Sequence, residues 1–382
     1  MYDAIIVGGG PAGSTCARVL VRAGARVAIL DRAEFPRVKL CAGWLSPPFW
    51  DAVGISPGSY PRDLFEWNTC HVQFHGEQFA LPGKGWFIRR VELDDYLLHT
   101  CGAELHLGTN VKDIVKEDGV WHVGGLRGKL LVGAGGTHCP VARMLQPPRP
   151  RRAVGVQELE LQADPIAVAR TRLGNDGEPG LGLFDDISGY VGNGPNLDWV
   201  NVGCGTLDAT RVRDMWQHTR DVIRPHLPSE AESQIEHVKG HSYFLFDPAH
   251  LDAAQRDGAY LVGDSLGLAH PITAEGILPA VLSGRLAAES ILDGGDYRAR
   301  LRSHPILADY RRVYQLVEAG RRLRKNRQAT PGKSPGKGPG KLARRAVARG
   351  FAWMFSGSRL PAPRVIDAVL SRVTRQEDAD VR

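Results

Sequence analysis

Apolar positions fall into short, well-bounded runs along this chain. Tyr2–Val7 (YDAIIV) is β-branched and apolar almost throughout and ends at a glycine, which predicts a short buried strand. The glycine-rich stretch Gly8–Gly13 follows, then Ser14–Ala23 with helical spacing, then a second apolar strand, Ala25–Leu30, closed by Asp31. Strand, turn, helix and strand within about 30 residues form a βαβ unit. Further along, strand-like segments alternate with turns at Cys70–Phe74, Glu104–Leu107, Val120–Val123 and Lys129–Val132. From Ala153 to Thr206 the pattern is strand-like again, with turns such as Gly192-Asn-Gly-Pro195, and predicts a mostly antiparallel sheet in a second lobe. Ala259–Val262 reads as one more buried strand and Gly276–Leu292 as a long helix. Pro331–Lys341 (PGKSPGKGPGK) is too rich in Gly and Pro for a helix and predicts a flexible linker.

Composition alters this picture little. With 382 residues, 43% hydrophobic and 24% charged, the chain can bury the core of an ordinary globular enzyme. Its six cysteines (Cys16, Cys41, Cys70, Cys101, Cys139, Cys204) form no C-x-x-C pair and no His/Cys cluster, so no metal site is expected. Scattered thiols, and an N-terminus that runs at once into a strand, point to a reducing, cytoplasmic setting. No apolar run approaches the roughly 20 residues of a spanning helix.

Charge alters it more. From Arg321 onward there are 16 Lys/Arg against 4 Asp/Glu, so the rest of the chain is mildly acidic within a total of +6. Such asymmetry suggests an interaction tail rather than a basic enzyme. Leu342–Ser356 sets Arg344, Arg345 and Arg349 among Val347, Phe351, Trp353, Met354 and Phe355. A helix of this kind either meets an anionic membrane surface, making the enzyme membrane-peripheral, or packs on the body with its basic face solvated. No recognition motif accompanies the charge, so nucleic acid is not an expected partner.

Gly8-x-Gly10-x-x-Gly13 occupies the first strand–helix turn. Gly8 permits the tight turn, Gly10 lets the backbone approach a pyrophosphate, and Gly13 allows close helix–strand packing. The helix N-terminus then aims free N–H groups and a positive dipole end at the phosphates, with Asp31 in place for a ribose hydroxyl. These residues alone fit NAD as well as FAD. The distant run Tyr260-Leu-Val-Gly263-Asp264 favours FAD, because it ends a strand in Gly-Asp and leads to a helix opening at Glu275-Gly276-Ile277. A carboxylate there suits ribityl hydroxyls, and the helix N-terminus suits the negative charge of a reduced flavin.

This pair of separated elements resembles the glutathione-reductase-type FAD fold shared by the p-hydroxybenzoate hydroxylase and geranylgeranyl reductase families. Two further stretches narrow the resemblance to the latter. Lys39-Leu-Cys41-Ala42-Gly43 is similar to the Lys-x-Cys-Gly/Ala-Gly loop that passes over the flavin in geranylgeranyl reductases. Arg90-Val-Glu-Leu-Asp94-Asp-Tyr-Leu97 is similar to their Arg-x-x-Phe-Asp-x-x-Leu helix start, whose arginine contacts the cofactor. Gly133-Ala-Gly135-Gly136 through Arg143 resembles the superfamily's Gly-Ala-Asp-Gly-x-x-Ser-x-x-Arg strand–turn. The resemblance runs from Met1 to about Leu292. It implies an α/β protein: a Rossmann-type FAD-binding fold (glutathione-reductase-like), an inserted, mostly antiparallel β-sheet substrate lobe and a C-terminal helical tail.

The implied organisation is FAD-binding residues 1–150, with a short β insertion at 60–90, completed by 246–300. Residues 151–245 would form the substrate lobe, 301–330 a helical segment, 331–341 the linker and 342–382 basic helices. Implied cofactor contacts are Gly8, Gly10, Ala12, Gly13, Asp31 and Arg32, then Cys41, Ala42 and Gly43 of the loop. Arg90, Val111, Gly133, Asp264, Gly276 and Ile277 complete them. Cys41 and His270 are the catalytic candidates, the former otherwise a small buried hydrophobe. Trp44, Tyr190 and Pro271 are expected at the substrate pocket.

Two departures bear on chemistry. Gly135 replaces the aspartate that aromatic hydroxylases use near the pyrophosphate and pyridine nucleotide. Tyr190-Val-Gly192-Asn-Gly194-Pro195-Asn196 keeps the Tyr and Pro of the reductases' Tyr-x-Trp-x-Phe-Pro-Lys strand but loses its Trp, Phe and Lys. The expected activity is FAD-dependent reduction of carbon–carbon double bonds in an isoprenoid or other lipophilic substrate, with NAD(P)H or a small electron carrier as reductant. A flavin monooxygenase and a flavoprotein feeding electrons to a membrane quinone stand as alternatives.

Overall fold

A computed structural model describes residues 1–146, 151–162, 164, 178–184, 189–196, 199–224, 235, 238–328, 340–357, 360, 363–364 and 366–367. The chain opens with β1 (Tyr2–Val7), α1 (Pro11–Arg22) and β2 (Val27–Leu30), then β3 (Trp44–Leu45) and α2 (Pro48–Val53). β4 (Phe65–Phe74) and β5 (Glu77–Phe87) form a hairpin before α3 (Arg90–His99). β6 (Glu104–His106), β7 (Ile114–Glu117), β8 (Val120–Val123), β9 (Leu126–Gly133) and α4 (Pro140–Leu145) come next. The middle of the chain supplies β10 (Ala153–Gln162), β11 (Gly180–Leu183), β12 (Gly189–Asn196), β13 (Trp199–Thr206), α5 (Val212–Ile223) and β14 (Lys239–Phe244). After β15 (Gln255–Arg256) and β16 (Ala259–Leu261) come α6 (Ile277–Asp293), α7 (Tyr297–Ser303), α8 (Pro305–Gln328) and α9 (Lys341–Phe355).

Among the described residues these strands make two sheets. The first has the order β15-β16-β9-β1-β2-β6, parallel from β16 to β6, with β8 and β7 added antiparallel beyond β9. Its central strands are covered on both faces, which is why Tyr2–Val7 is apolar without alternation. α1 and α6 pack together against it; a Cβ at Gly284 would stand 2.2 Å from the Ala12 carbonyl oxygen, so only glycine permits that approach. The second sheet runs β14-β10-β13-β12-β11-β4-β5-β3 and is antiparallel except between β11 and β4.

The expected β insertion at 60–90 holds β4 and β5, which are interior strands of the second sheet and join β11 to β3. The Gly192–Pro195 run is not a turn but lies inside β12, paired residue by residue with β13. The tail helix takes the packed alternative. Ala348, Phe351, Ala352 and Phe355 of α9 are buried with Trp44, Trp67, Phe74 and Phe87 of the second sheet. Trp44 Nε1 donates to the Phe355 carbonyl at 2.8 Å. Burial contributes about 1.5–3 kcal/mol per phenylalanine to holding this face on the sheet. Residues 331–339 of the expected linker and 368–382 of the tail lie outside the described residues. Among the described residues no helix is long and apolar enough to cross a membrane.

Candidate functional site

The first turn is closed by contacts that exclude side chains. Gly8 has φ +115°, and a Cβ there would lie 2.3 Å from the Ala134 carbonyl oxygen; at Gly13 it would lie 2.0 Å from the Gly8 oxygen. Gly10 is the N-cap of α1 and provides no side-chain cap, with Pro11 at the first helical position. The end of α1 is therefore left with backbone N–H groups and the positive pole of its dipole facing open space. Asp31, at the end of β2, accepts hydrogen bonds from the Gly9 N–H at 2.7 Å and the Ala33 N–H at 2.9 Å, tying the two strand ends together.

A second helix end converges on the same space. Gly276 caps α6, again without a side-chain cap, and a Cβ built on it would stand 3.4 Å from Asp264 Oδ1. Between the two helix ends lies a cavity of about 630 Å³. Its walls include Gly10, Ala12, Asp31 and Arg32 from the first unit, and Asp264, Gly276 and Ile277 from the last. Burial raises the Asp264 carboxyl above its usual range, against the opposing pull of Lys39 and Arg90.

The loop after β2 closes one side. Arg37, Lys39, Cys41 and Ala42 line the cavity, with Arg90 at the start of α3 behind them. Arg90 holds Asp94 through two hydrogen bonds of 2.7 and 2.8 Å, and Arg37 reaches the same fully buried carboxylate at 3.2 Å. Burial pushes the Cys41 thiol up, partly offset by Arg90 beside it, and pulls Lys39 down.

The second sheet supplies the opposite wall. Gly192 and Gly194 of β12 and Gly203 and Gly205 of β13 lie on it, Gly192 pairs with Gly203, and Gly194 lets the Phe87 ring pack directly on the strand, where a Cβ would stand 2.3 Å from it. Trp44, Phe87, Leu181, Tyr190 and Phe355 make the apolar side of this chamber. Tyr190 is fixed by donating from its hydroxyl to the Thr273 carbonyl at 2.7 Å. Glu158, Asn201, His241, Tyr243 and Glu275 are the polar groups on the chamber side.

Most of the expected residues come together. Gly8, Gly13, Gly43 and Gly133 lie just behind the wall as close-packing positions; a Cβ at Gly43 would be 1.8 Å from the Ile88 oxygen. Three others lie away from the cavity. Val111 is buried in the first core, within reach of Gly124 and Leu30. His270 sits in a small separate pocket with Tyr310 and Val313, and Pro271 is buried in the same turn. The reason is local: His270 Nδ1 accepts the N–H groups of Ile272 at 3.2 Å and Thr273 at 3.0 Å, so the imidazole caps its own turn. Burial pushes its pKa down to about 3, leaving a neutral ring. Cys41 and Cys139 are both free thiols.

Sequence reading missed Glu158, Asn201, His241 and Glu275. The one available signal is phase: Glu158 falls in register with Val154 and Val156 on one face of β10, an acid where the alternation expects an apolar residue. Burial pushes both Glu158 and Glu275 up to about 8. Both carboxyls hold a proton more tightly folded than unfolded. Their contribution to stability is therefore complete below about pH 4.5 and lost as pH rises through about 8. Thermal melts of the cofactor-free protein between pH 5 and 9 are expected to show Tm falling toward the alkaline end, with a flatter profile in a Glu158→Gln, Glu275→Gln double variant.

Comparison with known proteins agrees with this geometry. Residues 1–47 match the FAD binding domain family. The menaquinone reductase of Mycolicibacterium smegmatis is 26% identical over 333 residues, covering 77% of each chain. The digeranylgeranylglycerophospholipid reductase 2 of Methanosphaera stadtmanae is 25% identical, covering 80% of this chain and 83% of that one. A geranylgeranyl bacteriochlorophyll reductase-like protein from Thermoplasma acidophilum shares the fold with a TM-score of 0.59 at 18% identity, over 97% of this chain and 91% of that one. A glycine-built turn, two uncapped helix ends on one cavity and this match define an FAD-dependent oxidoreductase of the p-hydroxybenzoate hydroxylase-like fold. Within that class the chain is similar to proteins named as reductases of geranylgeranyl groups and of menaquinone.

Proposed function

We propose that this enzyme reduces carbon–carbon double bonds in an isoprenoid chain or an isoprenoid quinone. The observation that carries the reading is the continuity of the cavity. It extends from the turn at Gly10 and Asp31 to a chamber walled by Trp44, Phe87, Leu181, Tyr190 and Phe355. When bound, FAD supplies the hydride. Gly10, Ala12 and Gly13 at the α1 N-terminus suit its pyrophosphate, Asp31 and Arg32 the adenosine ribose, and Asp264 the ribityl hydroxyls. Gly276 and Ile277 at the α6 N-terminus suit the electron-rich end of the reduced ring, and the Cys41–Gly43 loop with Arg90 the opposite side.

The chamber reads as a lipid slot. Each methylene buried there contributes about 0.8 kcal/mol, so a few isoprene units suffice for micromolar affinity. NAD(P)H or a small electron carrier is the proposed reductant. Lys341, Arg345 and Arg349 stand exposed on α9 and suit an electrostatic contact with anionic lipid, where such substrates reside.

The test is anaerobic. Enzyme reduced with dithionite is mixed with menaquinone or a geranylgeranylated lipid, and the product is weighed by mass spectrometry. A gain of two hydrogens per double bond is expected, with reoxidation of the flavin. No product from any prenyl lipid or quinone overturns the reading, and a product carrying an added oxygen after exposure to air identifies a monooxygenase instead.

A further inference from the structure

Reduction of a carbon–carbon double bond needs a proton at one carbon as well as a hydride at the other. The chamber contains a group built to provide it. Glu158 lies mid-strand on β10, only 7% exposed, and lines the cavity. Asn201 hydrogen-bonds its carboxyl, but the buried Oε1 has no hydrogen-bond partner. A buried polar oxygen left unmet costs on the order of 1–3 kcal/mol, so its presence on a cavity wall points to something that arrives there. The aim of the side chain is fixed from two sides. Asn201 Nδ2 also donates to the Cys41 carbonyl at 3.2 Å, coupling the second sheet to the loop. Gly203, the cross-strand partner of Glu158, lies close beneath its stem, where an added Cβ would meet Cγ at 3.3 Å.

Resting on the reductase reading above, we propose that Glu158 is a catalytic residue whose carboxyl proton goes to the substrate carbon beside the one that takes the hydride. One new C–H bond is made by the hydride with its own electron pair, which leaves the reduced cofactor oxidised by two electrons. The second is made by the π pair of the broken double bond to the Glu158 proton. The substrate gains two hydrogens, and Glu158 becomes a carboxylate that recovers a proton from solvent before the next cycle.

The surroundings keep that proton available. Burial holds the acid largely protonated at pH 7, with a value of about 8, and Glu160 on the same strand acts in the same direction. Asn201 on β13, Arg90 on α3 and Lys39 on the loop act in the other. The remaining titratable neighbours stay neutral for the same reason: burial raises Cys41, Tyr190, Cys204 and Tyr243, and lowers His241 to about 4. None of these is a carboxylic acid; Glu275, the other raised acid on the cavity wall at about 8, has its carboxyl engaged by the Ser46 hydroxyl at 3.1 Å, whereas Glu158 Oε1 has no partner.

The test uses full-length, FAD-loaded enzyme. Glu158→Gln keeps the shape and removes the acid. Flavin content and reduction by dithionite are expected to match wild type, while turnover of menaquinone or a geranylgeranylated lipid falls by about 10²–10⁴-fold. The wild-type loss of turnover above about pH 8 disappears, and so does one infrared band of a protonated carboxyl at pH 7, with Glu275→Gln used to assign the other. Turnover within about threefold of wild type, or an infrared spectrum unchanged by the substitution, overturns the proposal. Should the Gln variant not fold, Glu158→Asp replaces it: it retains the proton but withdraws it by one methylene, and unchanged turnover again overturns the assignment. A wild-type enzyme inactive on every prenyl lipid and quinone sinks the reductase reading and the donor role with it, whereas the infrared band still reports whether Glu158 is protonated.

Discussion

A single methyl group added at Gly13 is expected to leave the purified protein almost colourless. The Cβ of alanine at this position would stand 2.0 Å from the Gly8 carbonyl oxygen and 3.1 Å from the Ala134 Cβ. Normal carbon contacts begin near 3.5 Å, so the turn must open by on the order of 1 Å. Neither neighbour can yield as a flexible side chain would, because one is backbone and the other is held by the Ala134 N–H bond to the Val7 carbonyl. Opening the turn moves the α1 N-terminus away from the pyrophosphate position. A loss of at least about 100-fold in FAD affinity is expected, equivalent to about 2.7 kcal/mol. The ratio of flavin absorbance to protein in the purified Gly13→Ala variant measures it. Gly58→Ala is the control, since a Cβ there meets nothing within 4 Å. Full flavin content in Gly13→Ala would refute the account of the turn.

Replacing Arg90 by methionine is expected to be the more damaging change to stability. Asp94 is fully buried, and Arg90 gives it two short, parallel hydrogen bonds from one turn earlier on α3. Burial alone acts against the arginine's charge, yet the carboxylate and the Cys41 thiol beside it hold the guanidinium firmly protonated. Removing one partner of such a pair leaves a buried charge and costs about 3–5 kcal/mol. Arg37 stays at 3.2 Å from the carboxylate, which sets the expected loss at the lower end. Chemical denaturation of the cofactor-free protein reads this without involving the flavin. Arg90→Lys should recover only part, because lysine cannot present two donors in parallel. Changing Asp94→Asn in the Arg90→Met background should recover more, because it removes the stranded charge. A double variant no more stable than Arg90→Met would show that packing, not charge, is what the arginine provides.

The same pair shows why the site was only partly legible beforehand. Arg90 and Asp94 are four residues apart on a helix, a spacing visible in any sequence, so the pair itself could be read locally. That Arg37, more than fifty residues earlier, reaches the same carboxylate could not. Likewise the stretch from Gly8 to Asp31 is a local unit whose strand, turn and helix are dictated by the residues within it. His270 shows the opposite failure. A histidine in a loop near the expected flavin site suggests chemistry, but the backbone of that loop folds onto its Nδ1 and excludes it from the cavity. Glu158 and His241 were passed over because their importance arises from the pairing of β10 with β13 and β14 across more than forty residues.

The sequence determined the nucleotide-binding half of this protein, because there each function rests on residues next to one another. Glycines force the turn, apolar runs bury the parallel strands, and helix starts carry the positive end of their own dipoles. Tertiary structure alone decided the second sheet and what packs on it. Whether β4 and β5 join the first sheet or the second, which face of α9 seals the aromatic wall, and which acid faces the chamber all depend on strand pairing and burial. Those are long-range contacts, set by how separate elements exclude water together rather than by the order of residues within any one of them.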